Sequence, residues 1–127
     1  MEIKRSGMCG NSPKSQLAED LAVALLTGDT ETLSQRLTEA AIITVVGSEQ
    51  YSKAEALEGA ASIRELDKLA IDQALSHGKV AAVSGSGVTA EGQRFAFSDH
   101  YTFANTKATE IASVTSFRIM LPNDADT

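Results

Sequence analysis

The chain has no tryptophan, one cysteine (Cys9), two prolines and two histidines in 127 residues. A single cysteine excludes an internal disulfide and suits a reducing compartment. No apolar run approaches the roughly 20 residues that a membrane-spanning helix needs. Positive charge is also in short supply: 11 Lys and Arg stand against 17 Asp and Glu, for a net charge of −6. A nucleic-acid surface needs a basic stripe, and an anionic membrane favours a basic cluster. Neither partner is expected. The opening MEIKRSGMCG is charged and has no apolar segment behind it. It does not read as a secretory signal, and Cys9 is a poor lipid-anchor candidate. The expectation is a cytoplasmic protein.

What remains is an ordinary globular composition, 43% hydrophobic and 22% charged, enough for one core. A single domain over residues 1–127 is expected, with 1–12 and 122–127 as flexible arms. Aromatics make up only 5% of the chain, and most of them fall in one stretch, Gln93 to Asn105, QRFAFSDHYTFAN. Phe95, Phe97, Asp99, Tyr101 and Phe103 alternate onto one face. Arg94, Ser98, His100 and Thr102 take the other. Period-two alternation of this length predicts a strand with one buried face. Asp99 is the anomaly in the apolar row. A buried carboxylate costs several kcal/mol unless it is paired, protonated or wetted by a cavity.

The other elements follow from caps and periodicity. Ser12-Pro13 starts a helix with Leu17, Leu21, Ala24 and Leu25 at helical spacing, and Gly28 stops it. Asp29 or Thr30 caps a short second helix with Leu33 and Leu37 on its apolar side. Ala41 to Val46 is β-branched and reads as a strand. Ser52 and Glu55 form a capping box that opens a third helix, with Ala54, Leu57 and Ala61 inward. Residues 63–76 fit a helix (Leu66, Leu69, Ala70, Gln73) or a strand (Leu69, Ile71, Gln73, Leu75). Strands are predicted over 80–89, where Gly85 and Gly87 suggest a bulge or bend, and over 111–121. Asn105 to Ala108 forms the turn between the last two. The last four strands make an antiparallel meander wrapped on helices.

That order, with LAVALLTGDTETLSQRLTEAAIITVVGS (21–48) and FSDHYTFANTKATEIASVTSF (97–117), resembles the nuclear transport factor 2-like superfamily. CGNSPKS (9–15), HGKVAAVSGSG (77–87) and the final hairpin resemble an uncharacterised bacterial branch of it, related to SnoaL-like and ketosteroid-isomerase-like proteins. The resemblance implies an α+β, cystatin-like cone: three N-terminal helices on a strongly curved, mostly antiparallel sheet enclosing a pocket. It also decides 65–76 as a strand. The fold carries enzymes, binders and scaffolds alike, so it does not name a function.

The resemblance places Asp99 on the pocket side of the penultimate strand, where ketosteroid isomerases carry an Asp. In that enzyme a Tyr and a protonated Asp form the oxyanion hole and another Asp is the base, as the standard description has it. Here the Tyr position holds Leu21 and the base position Thr44. Leucine donates no hydrogen bond and threonine is no base near neutral pH. No ketosteroid isomerase activity is predicted. Epoxide hydrolysis in the superfamily needs two carboxylates around an Arg. No second carboxylate is placed for water activation, with Asp67 and Asp72 as candidates from the neighbouring strand. An inward row of Val114, Ser116 and Arg118 on the last strand instead offers a direct Asp99–Arg118 pair.

The expected ligand site is therefore an apolar pocket of Leu21, Leu25, Thr44, Phe97, Asp99, Tyr101, Val114, Ser116 and Arg118, for a small apolar or amphipathic molecule. The alternatives are a lyase, isomerase or cyclase of the polyketide-cyclase-like kind with Asp99 as general acid or base, and an association domain with a filled core. Ser98, His100 and Thr102 on the outer face are expected at a homodimer surface. No cofactor is expected. Two histidines without a carboxylate at ligand spacing argue against a metal. Cys9 has no His partner for nucleophilic chemistry, and GSG at 85–87 opens no helix and is no phosphate loop.

Overall fold

The computed structural model describes residues 1–8, 10, 12–63, 65–105 and 109–122. Cys9, most of the expected 105–108 turn and the tail 123–127 lie outside them, as does the side chain of Ala61. The elements run β1 (Glu2–Lys4), α1 (Pro13–Thr27), α2 (Thr30–Arg36), β2 (Leu37–Val45), β3 (Gln50–Ser52) and α3 (Lys53–Gly59). A 3-10 turn (Ala60–Ser62) leads into β4 (Leu66–His77), β5 (Val80–Thr89), β6 (Arg94–Phe103) and β7 (Ile111–Met120). One sheet takes all seven strands in the order β1-β4-β5-β6-β7-β2-β3. The meander β4 to β7 is antiparallel, while β2 joins β7, and β1 joins β4, in parallel. The result is α+β, three helices packed on a curved and mostly antiparallel sheet.

Local chemistry places the helices. The Ser12 side chain accepts from the Ser15 amide and Pro13 occupies the first turn of α1. Gly28 ends α1 at φ +78°, a left-handed conformation that costs glycine nothing. A Cβ there would also lie 2.5 Å from the Ala60 carbonyl oxygen. Asp29, of the two cap candidates, caps α2 through Thr32. The capping box of Ser52 and Glu55 is present on both sides. Helix α1 buries Leu17, Ala18, Leu21 and Leu25 against β4 and β5.

Several expectations are corrected by packing. The N-terminal arm is not loose over its whole length. Glu2–Lys4 pair with Lys68–Ala70, and Arg5 and Ser6 bond Glu19 on α1. The exposed edge of β4 supplies that partner, which composition could not show. In α3, Ala54 faces solvent and the buried position belongs to Lys53. Its ammonium donates to the carbonyls of Ser34 (2.8 Å) and Leu37 (2.9 Å) and to Glu39 (3.1 Å). Three donors thus find three acceptors at the end of α2, the condition for burying a lysine. Leu37 caps α2 and begins β2, which extends further back than its β-branched run. In β4 the register shifts between Ile71 and Gln73, so Ala74 turns inward and Leu75 outward. The irregularity expected around Gly85 thus sits in the partner strand. Gly85 and Gly87 serve close approach: a Cβ would lie 2.1 Å from the Ala70 oxygen and 2.5 Å from the Phe95 ring, respectively.

Candidate functional site

The alternation of β6 is obeyed in full. Phe95, Phe97, Asp99, Tyr101 and Phe103 are all buried, and Asp99 is 0% exposed. Register places Ser116 of β7 directly across from Asp99 and Val83 of β5 on its other side. The Ser116 hydroxyl donates to Asp99 Oδ1 at 2.5 Å, and the Tyr101 hydroxyl donates to Oδ2 at 2.9 Å. Each carboxylate oxygen has a partner, and among the described residues no buried side-chain polar atom lacks one.

Burial is the largest influence on the Asp99 carboxyl and pushes its pKa above the ordinary value. The two hydroxyl donors and then the Arg118 charge pull the other way. Removing a charge from water outweighs those bonds here. Tyr101 is raised well above its ordinary value, first by burial and then by the adjacent Asp99 charge.

The expected direct Asp99–Arg118 pair is replaced by a relay. Arg118 Nε donates to Ser116 Oγ at 3.1 Å, and Ser116 donates to Asp99. Arg118 follows Ser116 by two residues, on the same face but nearer the end of β7, so its head reaches solvent while Ser116 is buried. A polar line thus runs from the surface inward, in the order Arg118, Ser116, Asp99, Tyr101.

The open space lies at the outer end of that line. A cavity of about 300 Å³ sits at the β5–β6 hairpin end of the sheet, with Leu26, Leu66, Phe95 and Met120 among its walls. A second, of about 280 Å³, lies between β2–β3 and the helices, against Leu25, Ile43, Val45 and Tyr51. Ile63 and Arg118 line both. Asp99 lines neither, nor do Leu21, Phe97, Tyr101, Val114 and Ser116. The other five are buried with Asp99 in the core. Of the nine expected ligand-binding residues, only Leu25 and Arg118 reach the cavities.

Thr44 is displaced by one position. The inward residues of β2 are Ile43 and Val45, paired with Val114 and Ser116. Thr44 accepts from Gln50 instead. Isoleucine and valine are no better as bases. Asp67 and Asp72 are exposed at the two register shifts of β4, and among the described residues no second carboxylate bonds or lies across from Asp99. Tyr51, Ile63 and Met120 lie outside the expected pocket. Tyr51 had a usable signal, its place just ahead of the capping box, whereas Ile63 and Met120 are brought in only by tertiary packing.

On the outer face, Ser98 is half-buried and His100 and Thr102 are exposed. The His100 ring meets Phe117 edge-on with centroids 5.7 Å apart. His77, at the end of β4, and His100 line one shallow hollow. Among the described residues no group of three or more His, Cys, Asp or Glu is placed to hold a metal ion. No helix among them is long and apolar enough to cross a membrane.

The fold is the nuclear transport factor 2-like cone. No protein-family model matches the chain, and no curated protein does. Solved structures do. A nuclear transport factor 2-like protein of unknown function from Cytophaga hutchinsonii is 17% identical, over 84% of this chain and 99% of that one, with a TM-score of 0.64. A ketosteroid-isomerase-like protein from Kribbella flavida is 19% identical, over 87% of this chain and 80% of that one, with a TM-score of 0.69. A protein from Acidithiobacillus ferrooxidans named as a polyketide cyclase is 9% identical, over 85% and 89%, with a TM-score of 0.67. Likeness at this identity concerns the fold.

Proposed function

We propose that this chain binds a small apolar or amphipathic molecule in the cleft formed by the two cavities beside Arg118. The observation that carries the reading is the shared wall: two largely apolar spaces meet at Ile63 and Arg118. Convergent polar groups in a mostly apolar concavity are the usual design of a ligand site. Asp99 then supports the cleft from behind, holding Ser116 and through it Arg118. In the alternative, a lyase, isomerase or cyclase, Asp99 would have to reach substrate. Its raised pKa favours that chemistry, while its two occupied oxygens and its place outside both cavity linings oppose it. A cytoplasmic setting goes with either reading, on the chain's single cysteine.

We also propose a homodimer through the outer face around Ser98, His100 and Thr102. Strands β5, β6 and β7 carry one acid, Asp99, and it points inward. On a chain of charge −6 this face is therefore free of the carboxylates that would repel a second copy. Phe117 and Ile119 stand exposed on it. Sedimentation should show association that Phe117→Glu abolishes; a monomeric wild type removes the dimer.

The cleft is tested with a neutral apolar dye such as N-phenyl-1-naphthylamine. Wild type should enhance its fluorescence saturably, and Ile63→Trp, which fills the shared wall, should abolish the response. No saturable binding by a folded wild type overturns the reading.

A further inference from the structure

We propose that the cleft selects an apolar monocarboxylate, with Arg118 taking the carboxylate and one or both apolar cavities taking the body. This rests on the cleft being a binding site and adds the chemical class of its ligand.

The first support is charge. Arg118 is the one charged side chain among the described residues lining the two cavities. On a chain with 17 acidic and 11 basic residues, a described lining with one cation and no acid is a marked local reversal. A cationic ligand would meet the guanidinium unshielded. A neutral apolar ligand would cover its head and strip its water without a replacement.

The second is hydrogen-bonding capacity. Arg118 uses Nε on Ser116. No carbonyl or carboxylate among the described residues takes its Nη1 or Nη2 groups, although Asp99, Ser116 and Tyr101 behind it are all satisfied. The Nε bond holds the guanidinium plane in position. The remaining N–H groups keep the fork geometry that matches a carboxylate's two oxygens.

The third is the surroundings. Ile63 separates the two cavities at the Arg118 head, with Leu26, Phe95 and Met120 on one side and Leu25 and Tyr51 on the other. Such walls accept a hydrocarbon chain or ring and offer little to a polyol or nucleotide. A second ionised group on the ligand would find no partner among the described lining residues, which limits the class to one carboxylate.

The test compares octanoate with octanamide, equal in length and differing at the head, by calorimetry at low salt. Wild type should bind octanoate about fivefold more tightly, the scale of a charge-assisted pair at a partly exposed site. Added salt should shrink the preference, and Arg118→Gln should erase it, bringing the octanoate and octanamide affinities together. Equal binding of both by wild type leaves the cleft reading standing and overturns the carboxylate. A preference that survives in Arg118→Gln also overturns it. If neither ligand binds and the neutral dye also fails, the cleft itself is wrong. If the dye binds and octanoate does not, only the carboxylate assignment falls.

Discussion

Asp99 and Arg118 lie on the same inner face, joined through one serine, yet their surroundings differ. Around Asp99 the protein supplies every partner: two hydroxyls occupy the two oxygens and aromatic and aliphatic side chains exclude water. Around Arg118 the protein supplies one bond and leaves the head facing open apolar space. Charge in an apolar row therefore did not by itself mark the site. Unfilled hydrogen-bonding capacity beside a void is the better guide, because only there does a ligand gain what the protein has not already provided.

The largest test of that contrast is at its closed end. Asp99→Ala removes the acceptor for two buried hydroxyls and leaves a void, and should cost about 2–4 kcal/mol in urea unfolding. Asp99→Asn keeps the shape and can re-pair both hydroxyls, so its cost should stay below about 1 kcal/mol. Equal costs for the two would mean that pairing does not govern this site. Ser116→Ala is next, at about 1–2 kcal/mol, since it deletes the donor to Asp99 and the acceptor of Arg118 together.

The pH response separates wild type from Asp99→Asn. Burial raises the folded Asp99 pKa above its ordinary 3.8, so between the two values the native state binds more protons than the unfolded state. Stability from this group is complete below the ordinary value and is lost as pH rises through the folded one. The stability of wild type minus that of Asp99→Asn should fall across that window and then level off. A difference that rises with pH would mean that the hydroxyls and Arg118 outweigh burial. The smallest effect is expected at the open end: Arg118→Gln should change stability by less than about 0.5 kcal/mol, because Arg118 is exposed to water in the ligand-free protein. A loss near that of Ser116→Ala would show that Arg118 is a structural group.

Caps and alternation made most of the fold readable. Ser12-Pro13, Asp29 and the Ser52/Glu55 box each act within four residues, and β6 needed only its own side chains. The parts that stayed hidden depend on distant partners. Strand β1 exists because β4 offers an edge. Lys53 is buried because two carbonyls and Glu39 come within its reach. Thr44 and Leu75 face outward because register, fixed by neighbouring strands, shifts phase by one residue. For 63–76 both periods fitted, and family likeness rather than propensity decided correctly for a strand. The site was half legible. The anomaly of Asp99 and the inward row of Val114, Ser116 and Arg118 could be read in sequence, but the void could not, since a cavity is a property of elements from across the chain that fail to meet.

The sequence by itself thus determined that an acid would be buried on β6, because alternation in a strand leaves it no other side. Only the tertiary structure decided what that acid does. Pairing β6 with β7 put Ser116 across from Asp99 and closed its hydrogen bonds. The same pairing carried Arg118 two residues further, past the packed core, to where the helices leave space beside the sheet.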